Sequence, residues 1–254
     1  MLLCDSPAPA GLRFVIIAAP RTGSNMLCTI LDSHPQILCH HEMFNPGGVF
    51  YALGLRDGSF NVGTLEDRSR DPLEFLQRIW MADLGHSCVG FKMTHRQNEP
   101  VFNAVLNDPS VKKIVLRREN RIKTYVSWLV AQQTGQWEVY RKTDLARRPR
   151  VAVDEAELRQ HITENDYYLS QIERVLEATR QQWVSMVYER LLANSDECAR
   201  VLEFLGVAPE ACALEPKSIR QNPTNLRELI CNFDDLDRAW RGTPLHRELH
   251  SLEY

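Results

Sequence analysis

The chain has 254 residues, of which 44% are hydrophobic and 25% charged, and its formal net charge is −3. That length suits one α/β domain with a helical extension, and the charge offers no general attraction to nucleic acid or to an anionic membrane, so an anion must be held by local basic positions. Cysteines at 4, 28, 39, 88, 198, 212 and 231 are odd in number, scattered and never spaced C-x-x-C, which argues against a disulfide framework and a zinc site.

Residues 1–9 are too short and too acidic for a secretory leader, and no run approaches the roughly 20 apolar residues that cross a bilayer. A cytoplasmic chain with reduced thiols and a flexible segment 1–12 is therefore expected. Residues 14–18 read as a buried β-branched strand that runs into a Pro/Gly turn and a helix over 24–33. Residues 45–71 are Gly- and Asp-rich without a period and read as a loop; a helix over 72–82 follows Asp71, with Pro72 at its first position. Strands are predicted over 88–93 and 112–116, and a helix over 121–133. Residues 134–153 form a second loop, basic and Pro-containing from 142 onward. Leu158, Ile162, Leu169, Ile172, Val175 and Leu176 recur at helical spacing, which predicts a long amphipathic helix over 155–180. A fourth strand over 183–188 precedes a helix over 195–205, capped by Asn194 or Ser195 and stopped by Gly206; a further helix is predicted over 225–231. The alternation predicts a single α/β domain spanning 1–254: a P-loop-like three-layer sandwich whose central, mostly parallel sheet is flanked by helices. Its ligand is expected at the carboxyl ends of the strands, with loops 45–71 and 134–153 facing substrate.

The turn after the first strand, Pro20-Arg21-Thr22-Gly23-Ser24-Asn25, is the most informative feature. Unsatisfied N–H groups and the helix dipole converge where it opens the helix, so it is built to hold phosphate. Arg21, Thr22, Ser24 and Asn25 add side-chain donors. An ATP-type loop needs G-x-x-x-x-G-K-[ST], and no lysine follows Gly23. The ligand expected is a nucleotide handled without a metal.

The segment Pro20–Leu27 resembles the 5′-phosphosulfate loop of sulfotransferases, which transfer a sulfonate group from 3′-phosphoadenosine 5′-phosphosulfate (PAPS) and release adenosine 3′,5′-bisphosphate. A second segment, Leu116-Arg-Arg-Glu-Asn followed by Val126-Ser-Trp, is similar to the element that grips the 3′-phosphate in that family. The resemblance implies that Arg118 and Ser127 make that contact, with Arg117 the substitute if the strand ends one residue earlier. Their spacing is one residue longer than in the cytosolic small-molecule enzymes and closer to the bacterial carbohydrate sulfotransferases of trehalose, lipopolysaccharide or lipo-oligosaccharide type. Lys217–Leu226 resembles the loop that closes over the nucleotide in that branch, which implies Arg220, Gln221 and Asn222 as contacts. A plain turn there is the other reading. Tyr188 is either an adenine contact or a core aromatic.

Sulfonate transfer needs a base for the acceptor hydroxyl and positive donors where charge accumulates on sulfonate and bridging oxygen. Arg21 and Lys92 are assigned to the charge. Glu42, in His40-His-Glu-Met-Phe-Asn-Pro46, matches the base-bearing glutamate of the family; His41 and His40 compete with it. His41 and His95 are also candidates for contact with the acceptor, although His95 reads equally as a surface imidazole. The His-His-Glu triplet is not read as a metal site, since neighbours on an extended chain point to opposite faces. The acceptor expected is a small molecule or glycan, stacked on Phe50, Tyr51, Phe60 or residues 137–140. A homodimer is left open. The competing classes are a nucleotide-dependent phosphotransferase and a non-catalytic nucleotide-binding module; the latter would need neither Lys92 nor Glu42.

Overall fold

Five strands form one sheet that is parallel throughout, in the order β2-β3-β1-β4-β5. The computed structural model describes residues 11–95, 97–193, 196–208 and 216–252. In chain order the elements are β1 (Leu12–Ala18), α1 (Ser24–Asp32), β2 (Ile37–His40), α2 (Leu65–Arg70), α3 (Pro72–Met81), β3 (Cys88–Thr94), α4 (Glu99–Asn107), β4 (Val111–Arg117), α5 (Arg121–Thr134), α6 (Glu155–Ala178), β5 (Trp183–Val187), α7 (Tyr188–Ala193), α8 (Asp196–Leu205), α9 (Phe233–Ala239) and α10 (Pro244–His250).

The strand period of two sorts β1 between two cores. Val15 and Ile17 pack with α3, α4 and α6 on one face of the sheet, while Phe14, Ile16 and Ala18 pack with α1 and α8 on the other. This is the expected α/β sandwich. Gly90 of β3 is the close approach that lets Phe14 lie flat there, because a Cβ at this position would stand 2.4 Å from the Phe14 ring. A third apolar cluster joins α5, the start of α6, Leu226–Ile230, α9 and α10 into the helical extension. Asp71, Asn120 and Asp154 cap α3, α5 and α6 by accepting from N3 backbone N–H groups.

Several elements differ from expectation. The stretch 45–71 is not irregular: it holds a 3₁₀ turn at Leu53–Leu55 and the helix α2, which a Thr64/Asp67 capping box starts. Its sequence Leu-Glu-Asp-Arg-Ser-Arg has no apolar period, so only the box could signal it. Arg68 of α2 is buried and donates to the carbonyls of Met43, Gly48 and Asn45 at 2.7–2.8 Å, fixing the chain just after Glu42. The expected helix at 225–231 is a single 3₁₀ turn, Leu226–Glu228. β2, α4, α7, α9 and α10 are additional elements, and Tyr188 opens α7 rather than closing β5. The predicted cap at Asn194 or Ser195 lies outside the described residues.

Candidate active site

A cleft of about 1100 Å³ opens at the carboxyl ends of the strands. β1 delivers the phosphate loop to it, β2 His41 and Glu42, β3 Lys92 and Thr94, β4 Arg118, and β5 Tyr188. A parallel sheet whose strand order reverses about its centre places loops at that edge.

Arg21 and Gly23 have positive φ, 67° and 90°, and Gly23 is the N-cap of α1 with no side-chain cap, so the first-turn N–H groups face the cleft without a protein side chain to satisfy them. Only glycine fits: a Cβ on Gly23 would lie 2.2 Å from the Tyr188 ring. Arg21 is the uncommon case, a bulky residue in the left-handed region, and three contacts hold it there. Its Nε donates to Ser127 Oγ at 2.9 Å, and its two terminal nitrogens donate to Gln221 Oε1 at 3.1 Å and to the Trp137 carbonyl. Burial, reinforced by Arg118 and Arg148, lowers the Arg21 pKa to about 10. Arg21 thus reaches the Ser127 side of the cleft. Thr22 does not supply a hydroxyl to the cleft as expected; the short turn directs it backward, where it donates to the Ala19 carbonyl at 2.8 Å and lines a separate cavity of about 250 Å³.

Arg118 donates to the Arg21 carbonyl at 3.1 Å, and its guanidinium stacks 4.6 Å from the Tyr188 ring centroid. Tyr188 is buried beneath Gly23 and Arg118, so its core role and its position on the cleft wall coincide. Lys123 also lines the cleft, one helical turn before Ser127 on the same face of α5. Motif reasoning misses it, although its i,i+4 relation to Ser127 is a signal that the sequence carries. The loop with Arg220, Gln221 and Asn222 lies across the cleft, tied to residues 135–148 by Ile219 N–H donating to the Val139 carbonyl at 2.8 Å and by Arg148 Nε donating to the Gln221 carbonyl at 2.7 Å. Asn222 Oδ1 is buried and has no hydrogen-bond partner.

At the end of β3, Lys92 Nζ lies 2.6 Å from Glu42 Oε1 and 3.4 Å from Ser24 Oγ. Glu42 Oε2 accepts from Gln97 at 2.6 Å and from Asn45. Burial by itself would raise the Glu42 pKa; Lys92 and the two amides outweigh it and hold the carboxyl below its usual range. Desolvation therefore does not raise the basicity of Glu42 while Lys92 sits on it. His41 lines the cleft with Nδ1 at 3.3 Å from Asn25 Oδ1 and 3.4 Å from the Tyr140 hydroxyl. Burial first, then the Lys92, Arg56 and His40 charges, push its pKa well down, so the ring is neutral. His40 is no candidate for the base. It accepts from Ala52 N–H through Nδ1, stacks on Phe60 and meets Tyr51 edge-on in a closed aromatic cluster, and burial lowers its pKa to about 4. His95 likewise does not line the cleft; its ring lies 4.7 Å from that of Tyr168. Of the aromatics considered for the acceptor, Phe50 and Trp137 line the cleft, whereas Tyr51 and Phe60 pack on His40. Among the described residues, no helix is long and apolar enough to cross a membrane.

Residues 20, 21 and 23–25, Arg118 and Ser127, and the Lys92–Glu42 pair line one cleft, and the fold defines the class of this protein: an α/β protein whose parallel sheet opens a cleft at the carboxyl ends of its strands. No family model matches the chain. It belongs to the family of nodulation protein H, being 30% identical over 240 residues to that protein of Rhizobium meliloti (strain 1021), with 92% of this chain and 93% of the relative covered. Nodulation protein H of Rhizobium tropici is 28% identical over 243 residues, covering 94% and 92%. Among solved structures, the sulfotransferase from Alicyclobacillus acidocaldarius has a TM-score of 0.47 at 18% identity, covering 94% of this chain and 96% of its own.

Proposed function

We propose that the protein transfers a sulfonate group from PAPS to a hydroxyl of a carbohydrate or glycosylated metabolite and releases adenosine 3′,5′-bisphosphate. The observation that carries this reading is the convergence of Pro20–Asn25, the Arg118–Ser127 side and the Lys92–Glu42 pair on one cleft. Pockets of about 300–1,000 Å³ accommodate a single ligand, so this one is large enough for a donor and an acceptor together. Backbone N–H groups of residues 23–25 hold the 5′-phosphosulfate, and Arg118, Ser127, Arg220, Gln221 and Asn222 hold the 3′-phosphate. Lys92 and Arg21 stabilise the charge that develops as the acceptor oxygen bonds to sulfur and the bridging S–O bond breaks. Glu42 takes the acceptor proton once Lys92 turns from it to the donor, because burial then dominates and raises its basicity. Phe50 and Trp137 offer flat faces to a sugar ring.

No step in this reading calls for a metal. The phosphotransferase alternative would need a lysine where Ser24 follows Gly23. A specific observation supports His41 as the second candidate base: Asn25 and Tyr140 fix its Nδ1 side, and the ring is neutral. Free thiols at Cys28, Cys39 and Cys88, all buried, suit a cytoplasmic location. The test is a thermal shift with adenosine 3′,5′-bisphosphate in EDTA, followed by incubation with PAPS and a panel of glycans read for the mass gain of one sulfonate. A shift with ATP and magnesium only would overturn the reading.

A further inference from the structure

The helical extension carries a side-chain cluster with no part in the cleft. His246 and His250 are one turn apart on α10 and point from the same face toward Asp237 of α9. Asp237 Oδ1 lies 3.1 Å from His246 Nε2 and 2.5 Å from His250 Nε2, the two rings are 4.8 Å apart, and three donor atoms lie within 4.8 Å of one another. An ion about 2.0–2.2 Å from each nitrogen and oxygen requires donors separated by about 3–4 Å, which small rotations of these side chains supply.

We infer that Asp237, His246 and His250 form a binding site for one divalent transition-metal ion of the zinc class, which clips α9 to α10. Two imidazoles and a carboxylate are a donor set that suits zinc and its late first-row neighbours and disfavours calcium or magnesium. Three protein ligands leave the fourth position to water, and the cluster is open enough for it: the side chains are 24%, 29% and 47% exposed for Asp237, His246 and His250. The ion replaces the two imidazole N–H groups that otherwise share one carboxylate oxygen. Arg241, 4.0 Å from Asp237 Oδ2, opposes a cation, but its side chain is 74% exposed and free to swing outward.

The placement gives the clip a purpose. Glu248 lies between the two histidines in sequence and accepts from the Arg121 N–H at 2.8 Å and from the Arg121 guanidinium, while its carbonyl accepts from Asn120 Nδ2 at 2.8 Å. α10 therefore holds the first turn of α5, the helix that carries Lys123 and Ser127 to the cleft. Fixing α10 to α9 steadies that turn from behind. This inference stands whether or not the sulfotransferase chemistry is as proposed.

The experiment uses the full chain stripped with EDTA and titrated with zinc chloride alone. We expect one equivalent to bind, with a saturable rise in melting temperature that is lost in His250→Ala and Asp237→Asn and retained in Cys231→Ser, which removes an exposed thiol. In EDTA, His250→Ala should melt close to the unsubstituted chain. A cobalt(II) derivative of the unsubstituted chain, which needs no variant to fold, should show d–d bands without a thiolate charge-transfer band. Absence of one-equivalent binding, binding that His250→Ala leaves unchanged, or a thiolate band would overturn the inference.

Discussion

Replacing Lys92 by methionine removes a cation from a buried pair while keeping the length of the side chain. The Lys92 side chain is 5% exposed, that of Glu42 is 20% exposed, and they meet at 2.6 Å. Stripping one partner from a buried pair costs about 3–5 kcal/mol. Asn45 and Gln97 still donate to Glu42 in the variant, which places the expected loss at the lower end, about 3 kcal/mol near neutral pH. The loss depends on pH with a definite sign. In the unsubstituted protein the Glu42 pKa is lowered, so its contribution is present above the ordinary carboxylate range and disappears as pH falls through the lowered value. Without Lys92, burial is the largest remaining influence and the pKa moves upward, so the variant loses stability as pH rises from the ordinary carboxylate range toward the raised value, by up to about 1.4 kcal/mol per pH unit. Urea unfolding at about pH 4.5 and about pH 7.5 should therefore show a deficit that grows with pH. Adding Glu42→Gln should recover most of it, since no buried charge is then left unpaired. A deficit equal at both pH values, or a double variant no more stable than the single one, would refute the reasoning.

Glu42→Gln alone should cut turnover about 10²- to 10⁴-fold while leaving the affinity for adenosine 3′,5′-bisphosphate within a few-fold, and retention of more than about a third of the activity would move the base to His41. Arg118→Ala should weaken adenosine 3′,5′-bisphosphate by about 2 kcal/mol and hardly affect a ligand lacking the 3′-phosphate; Ser127→Ala should cost less, and isothermal titration showing equal losses for both ligands would mark Arg118 as structural through Tyr188 and Arg21. Gly23→Ala forces a Cβ into the Tyr188 ring at a φ of 90°, so calorimetry should show about 1–3 kcal/mol of lost stability together with lost nucleotide binding, and an unchanged melting temperature would mean that the ring gives way to a Cβ at no cost.

The strand, turn and helix over 12–32 are legible because their signals are local: an apolar run at 14–18, Pro20, Gly23 and a helix behind them. The placement of Arg118 and Ser127 on the cleft is legible for the same reason, as a strand end and the helix after it. Lys92 and Glu42 are each expected at the site from sequence, but their direct contact is not legible, since β2 and β3 lie far apart in sequence and only the sheet order sets their ends side by side. Extended geometry indicates that His40 and His41 face opposite ways. Which one meets the cleft depends on Tyr51 and Phe60 closing over His40, a contact between a strand and a loop that carried no periodic signal. Thr22 and Ser24 look alike as hydroxyl donors, yet the turn sends one to the Ala19 carbonyl and the other toward Lys92. α2 escaped because a short polar helix has no stripe to read.

Arg68 gives the chain a division of labour. By holding the carbonyls of Met43, Asn45 and Gly48, it staples down the residues that follow Glu42. Only a planar fork reaches three carbonyls at once, so lysine is no substitute there. Downstream of that staple, Phe50 ties back to the same strand end through its backbone, donating to the Glu42 carbonyl at 3.3 Å and accepting from the His41 N–H at 3.0 Å, which leaves its side chain free of that task. On the proposed function, side chains of the wall around Phe50 can change for a new acceptor while Glu42 keeps its place, and comparison of paralogues with different acceptors should find side-chain variation concentrated beyond Gly48 and Arg68 retained.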